Sequence, residues 1–168
     1  MKFARLIALL FAANAVAEDD PKFRKMLEKL LDDSVPAISS AELSEKIAVE
    51  PKIVLLDARE KTEFDVSHLK NAKWIGFDDF DPNRVANLDK SAPVVIYCSV
   101  GYRSEKIGER LLKLGFTDVR NLRGGIFDWA NRKLPIESSD GKPAVVHPYD
   151  RNWGKWLKAH VEKRYKPE

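Results

Sequence analysis

The residues best suited to chemistry are Cys98 and Arg103, in the stretch Cys98-Ser99-Val100-Gly101-Tyr102-Arg103-Ser104, and Cys98 is the single cysteine of the chain. Val94, Val95, Ile96 and Tyr97 precede it as a short apolar, β-branched run, which predicts a buried parallel strand. After it, Ile107, Leu111, Leu112 and Leu114 recur at helical spacing. The helix is expected to begin at Ser104, whose hydroxyl can take an orphan amide of the first turn. Cys98 is then placed at the carboxyl end of a strand, where open α/β sheets hold their ligands. A loop curling into a helix N-terminus gathers backbone N–H groups and the positive end of the helix dipole, and so favours an anion. The thiolate is the nucleophilic form of cysteine. Gly101 lets the loop turn tightly or take positive φ, and Arg103 offers a forked donor array suited to an oxyanion. A lone strand-end cysteine also serves elsewhere as a small buried hydrophobe; the Cys-x-x-Gly-x-Arg-Ser context points instead to a nucleophile.

The rest of the chain supplies elements to hold this loop. Residues 21–33 carry Phe23, Met26, Leu27, Leu30 and Leu31 at helical spacing, an amphipathic helix that packs on a sheet or binds a partner. Residues 35–38 read as extended, and Ser39-Ser40-Ala41-Glu42 offers a capping box for a helix running towards Ala48. Residues 53–56 form the next strand. Asp57 and Arg59 follow at the edge that carries Cys98, and either Arg59 helps hold an anionic substrate or the pair ties loops together, the reading favoured for Asp57. Residues 62–66 form a helical turn and 72–75 a strand. The acidic, aromatic stretch 77–87 is a loop with a short helix, a candidate wall of the pocket. Gly115 ends the central helix as a C′ glycine, 118–122 is a strand, and Arg123-Gly124-Gly125 is a turn beside the site that opens a helix over 126–131. No His, Cys or carboxylate stands at ligand spacing beside His68, which argues against a metal site. Strands alternate with helices, as in a three-layer α/β/α domain around a mainly parallel sheet.

A chain of 168 residues is of one-domain length and can bury a core without disulfides. Its formal charge of +3, with both signs interspersed, is too small to argue for nucleic acid. Lys2 and Arg5, the apolar run 6–13 and Ala15-Val16-Ala17 read as a cleavable signal peptide over 1–17, too short in its apolar part to span a bilayer. Cleavage is expected after Ala17, with a periplasmic or secreted product. Exported chains favour paired cysteines; an unpaired one is either reactive or bound to another chain. The expected organisation is 1–17 signal peptide, 18–34 amphipathic helix, 35–136 the α/β domain, and 137–168 a linker and a basic aromatic C-terminal helix. In that last part, residues 149–168, Tyr149, Trp153, Trp156, Leu157, His160, Val161 and Tyr165 recur at helical spacing among lysines. They form either a stripe docking back on the domain or a surface for a membrane or protein partner.

The loop Cys98 to Ser104 resembles the active-site loop of rhodanese-like sulfurtransferases. Three more stretches agree in order: Leu55-Leu56-Asp57-Ala58-Arg59-Glu60 with Glu63-Phe64, His68-Leu69-Lys70-Asn71-Ala72, and Leu122-Arg123-Gly124-Gly125-Ile126-Phe127-Asp128-Trp129. The resemblance spans roughly 35–135, with Asn71 where the family usually has Gly; Asn tolerates left-handed backbone. It implies about five strands and sulfane-sulfur transfer from a small anionic donor such as thiosulfate to cyanide or a thiol, through a persulfide on Cys98. In that scheme Arg103 orients the donor, the loop Ser99, Val100, Gly101, Tyr102 and Ser104 surrounds it, and Asp57, Arg59 and Arg123 are candidate pocket walls. No metal or organic cofactor is required, and His68 is structural. Two rivals stand beside it. Related loops in phosphatases have five residues between Cys and Arg, but here there are four, and no general acid is evident nearby. A binding or sensing module whose tail recruits a partner is the other.

Overall fold

The computed structural model describes residues 20–138, 140–142 and 145–167. The expected signal peptide over 1–17 lies outside them. In chain order the elements are α1 (Pro21–Leu30), β1 (Ala37–Ile38), α2 (Ser40–Val49), β2 (Val54–Asp57), α3 (Lys61–Val66), β3 (Ser67–His68), β4 (Lys73–Trp74), β5 (Val94–Tyr97), α4 (Tyr102–Lys113), β6 (Val119–Leu122), α5 (Gly125–Asn131), β7 (Glu137–Ser138), β8 (Val145–Val146) and β9 (Glu162–Lys163). Short 3-10 helices lie at Pro82–Val85 and Gly154–Trp156.

Five strands form one parallel sheet in the order β1-β6-β5-β2-β4. The strand that ends at Cys98 is therefore the central one, and all four residues of β5 are buried. Its side chains alternate between two apolar layers, as strand geometry requires. Val95 and Tyr97 face a layer with Phe23 and Leu27 of α1, Leu43 of α2, and Ile126, Phe127 and Trp129 of α5. Val94 and Ile96 face the layer of Ile107 and Leu111 of α4. The domain is thus the expected α/β/α sandwich with a five-stranded parallel sheet. Each fully buried leucine or isoleucine contributes roughly 1.5–3 kcal/mol of transfer free energy.

Local signals largely place the ends of these elements. Ser39 caps α2 by accepting from Glu42 N at 3.2 Å. Gly115 follows α4 with φ +92°, and Asn71 takes φ +62°, so the turn that resembles the family's is kept with Asn. Trp129 is buried and donates to Pro135 O at 2.9 Å, a packing role. His68 stacks on Phe64, with Nδ1 3.0 Å from Phe64 O.

Two expectations are corrected. The first concerns Ser104. Helix α4 begins earlier, at Tyr102, with Gly101 at the cap position, so Ser104 is inside the first turn. Its hydroxyl donates to Asn121 Oδ1 at 2.7 Å rather than capping an amide. The second concerns the expected C-terminal helix: the described residues 149–167 do not form an α-helix. They run as turns, the 3-10 helix at Gly154–Trp156 and β9, which pairs in parallel with β8. Part of their apolar surface nevertheless faces inward, although Tyr149 and Tyr165 stay exposed. Leu157 and Val161 are buried in the layer below α1 and α5, and Trp156 meets Phe23 at a ring separation of 5.6 Å. Asn131 replaces the helical hydrogen bonds the segment lacks, donating to Trp156 O at 2.8 Å and accepting from Lys158 N at 2.8 Å.

Candidate active site

Cys98 follows directly on β5, and its side chain sits at the floor of a cavity of about 380 Å³. Gly101, with φ +121°, turns the chain so that its N–H donates to Cys98 Sγ at 3.1 Å. The first amides of α4 lack helical partners by geometry, so the sulfur lies beside the positive end of a twelve-residue helix. The turn before α5 locks this loop from behind. Gly124 N donates to Val100 O at 3.1 Å, Ile126 N to Cys98 O at 2.9 Å and Phe127 N to Ser99 O at 3.1 Å. Gly125 must be glycine here: its φ is +54°, and a Cβ would stand 2.6 Å from Ser99 O and closer still to Cys98 O.

Arg103 is held as a fork on a carboxylate. Its Nη1 donates to Glu63 Oε2 at 2.7 Å and its Nη2 to Glu63 Oε1 at 2.9 Å and to Ser99 Oγ at 3.0 Å. Ser99 Oγ donates to Glu63 Oε1 at 3.0 Å, and Glu60 N donates to Glu63 Oε2 at 3.0 Å. The buried carboxylate thereby fills its acceptor sites. Burial works against charge on Glu63, yet the bonds from Arg103 prevail and hold its carboxyl below the usual carboxylate range. Burial likewise opposes the Arg103 charge, and Glu63 more than offsets it, raising the guanidinium above its ordinary value. Partial burial pushes Glu60 up; Arg103 opposes this, and the carboxylates of Asp78 and Glu63 add to it.

The cavity walls come from five segments. Cys98, Ser99, Val100, Tyr102 and Arg103 supply the floor and one side, so these predicted residues do converge. Phe77 and Asp78, from the stretch expected to form a wall, line it together with Glu60. Leu30 at the end of α1 and Tyr149 and Trp153 of the C-terminal segment complete the mouth. The Arg103 guanidinium lies 4.9 Å from the Tyr149 ring centroid, a cation–π contact. Tyr149 itself takes φ +64°, a conformation costing a non-glycine residue roughly 1–2 kcal/mol. Its N–H donates to His147 Nδ1 at 3.1 Å, which helps hold the turn.

Three candidate wall residues do not reach the cavity. Asp57 and Arg59 are fully buried and paired with each other, with Arg59 Nη2 2.7 Å from Asp57 Oδ2. Arg59 Nη2 also donates to Ser67 O at 2.6 Å. It therefore braces α3 from both ends and sets the position of Glu63, a buttress rather than a substrate ligand. Arg123 is drawn outward into an ion pair with Asp33. Sequence reasoning missed the partner role of Glu63, although the Glu63-Phe64 pair was visible. It also missed Leu30, Tyr149 and Trp153 as walls. Their helical spacing spoke of packing, and the folding back of both chain segments onto one loop has no local signature.

The model of the rhodanese-like domain matches residues 39–132, more than half of the chain. The chain belongs to the rhodanese-like family. A sulfurtransferase of Allochromatium vinosum is 35% identical over 107 residues, which are 64% of this chain and 99% of that protein. A tRNA uridine(34) hydroxylase of Pectobacterium carotovorum is 29% identical over 160 residues, 78% of this chain but only 45% of that protein. Among solved structures, a rhodanese-like domain protein from Staphylococcus aureus superposes with a TM-score of 0.52 at 30% identity, over 56% of this chain and 90% of that one. The rhodanese-like match ends before the C-terminal segment and begins after α1. The nucleophile loop thus belongs to the matched domain, whereas Leu30, Tyr149 and Trp153 lie in the segments that flank it.

Proposed function

We propose that this rhodanese-like chain is a sulfurtransferase that carries sulfane sulfur on Cys98. The observation that carries the reading is the Gly101 N–H aimed at Cys98 Sγ, 3.1 Å away, at the floor of an open cavity. The Cys98 thiolate attacks the outer sulfur of a donor such as thiosulfate. An Sγ–S bond forms, the S–S bond of thiosulfate breaks, and sulfite leaves with the electron pair. The resulting persulfide is a covalent intermediate. Amides at the start of α4 face the added negative charge, a preorganised stabilisation of the oxyanion-hole type. Arg103, locked by Glu63 and Ser99, orients the incoming donor. Cyanide or a thiolate then takes the outer sulfur, returning the electron pair of the S–S bond to Cys98. No step calls on a metal or an organic cofactor. The leader-like residues 1–17 make export part of the proposal, testable by fractionating cells that express the chain with and without them. The activity test is release of thiocyanate from thiosulfate and cyanide, expected for the native protein and abolished in Cys98→Ser. Hydrolysis of an aryl phosphate with no thiocyanate would favour phosphatase chemistry and overturn it.

A further inference from the structure

We propose that the physiological sulfur acceptor is a low-molecular-weight organic thiol with an apolar, aromatic-sized body, selected by the segments that flank residues 39–132; this rests on Cys98 being the sulfur carrier. The cavity above Cys98, about 380 Å³, has the size of pockets that hold small organic molecules. Thiosulfate and cyanide occupy a small part of it. Its walls are mostly apolar: Leu30, Phe77, Val100, Tyr102, Tyr149 and Trp153. Tyr102 and Tyr149 are exposed, and Leu30, Phe77 and Trp153 are only partly covered, so the aromatic surface is open to a guest. The charged groups on the walls are few. Arg103 is forked onto Glu63 and covered by the Tyr149 ring, and the other charges on the walls are the carboxylates of Glu60 and Asp78.

Leu30, Tyr149 and Trp153 lie outside the matched domain, residues 39–132. Tyr149 is held in place by a left-handed backbone, by its bond to His147 and by Arg103 beneath it. In the discharge step the persulfide takes the proton of the acceptor thiol, and the acceptor thiolate so formed attacks the persulfide's outer sulfur. The new S–S bond forms on the acceptor, the old one breaks, and Cys98 leaves as thiolate. The proton stays on the transferred sulfur, and nothing is oxidised or reduced overall. Contact of the acceptor body with the aromatic walls, Trp153 among them, would hold the thiolate near its target, the gain that orientation gives.

The test is a discharge experiment on the purified protein. Cys98 is first loaded with one sulfur by thiosulfate, or by a small organic persulfide if thiosulfate fails, and loading is read by mass. Discharge rates are then measured with benzyl mercaptan and 2-mercaptoethanol, each normalised to its rate with a free persulfide in solution. The expected result is at least a tenfold preference for benzyl mercaptan, carried in KM, that collapses in Trp153→Ala and is partly restored in Trp153→Phe. A loaded protein with equal normalised rates overturns the acceptor class and leaves sulfur transfer standing. Failure to load with either donor overturns both.

Discussion

At the residue scale the site depends on a buried carboxylate that never meets substrate. Glu63 fixes Arg103 and Ser99, and Arg59 and Asp57 fix the helix that carries Glu63. Removing the charge leaves Arg103 buried without its fork. Glu63→Gln is expected to lose roughly 3 kcal/mol of stability and on the order of 100-fold in kcat/KM, with Glu63→Asp intermediate; urea titration and thiocyanate kinetics check this. The sign of the pH dependence follows from the depressed Glu63 pKa. Its contribution is complete above the unfolded-state value, about 4.3, and is lost as pH falls through the lower folded value. Acid titration of the native protein should therefore show a loss of stability below about 4.3 that Glu63→Gln lacks. Gly125→Ala tests the backbone lock: its Cβ meets carbonyls of Cys98 and Ser99, so a cost above about 1 kcal/mol and a severe loss of turnover are expected. Gly141→Ala is the control, since it also has positive φ but open space around it, and its turnover should be unchanged.

At the scale of elements, the strand–loop–helix unit around Cys98 was legible because apolar runs, Gly101 and the loop motif all pointed to one geometry. The helix start was read two residues late because Ser104 is a good cap by type, yet Gly101 supplies the turn and Asn121 takes the hydroxyl. The C-terminal segment was misread for a physical reason. Its aromatic spacing suits a helix, but Tyr149 turns the chain with φ +64°, and side-chain bonds from Asp150 and Asn131 serve its backbone instead. That segment carries a pH dependence of its own. Burial lowers the His147 pKa; Glu63 opposes this, and Arg59 and Arg103 add to the lowering. For a base with a depressed folded pKa, stability is complete above the ordinary value of about 6.5 and falls as pH drops below it. Protonation at Nδ1 also removes the acceptor for Tyr149 N. The protection factors of the amides at 145–165, taken relative to intrinsic exchange at each pH, should therefore fall between about pH 7.5 and about 5.5 while those of β5 and β6 hold. Unchanged protection of the segment over that range would show that His147 does not hold it.

At the scale of the whole molecule, two apolar layers on a five-stranded parallel sheet bring five separate segments to the carboxyl end of β5. The architecture was legible because strands and helices alternate in the sequence and buried strands read as continuous apolar runs. The walls of the cavity were not, since Leu30, Tyr149 and Trp153 stand 51 to 68 residues from Cys98, and only the closed fold makes them neighbours. Asp57 has the structural role favoured for it, whereas Arg59 and Arg123 turn away from the cavity, Arg59 to the buried Asp57 and Arg123 to the exposed Asp33, because a sequence gives no sign of whether an arginine meets substrate or a carboxylate of the same chain. The account turns on one covalent event. Its most direct test is intact-protein mass spectrometry after incubation with thiosulfate, beside Cys98→Ser. The account predicts a gain of one sulfur atom on the native chain, absent in the variant and reversed by cyanide with release of thiocyanate. No gain on a protein whose Cys98 is reduced and open to a small alkylating agent would contradict it.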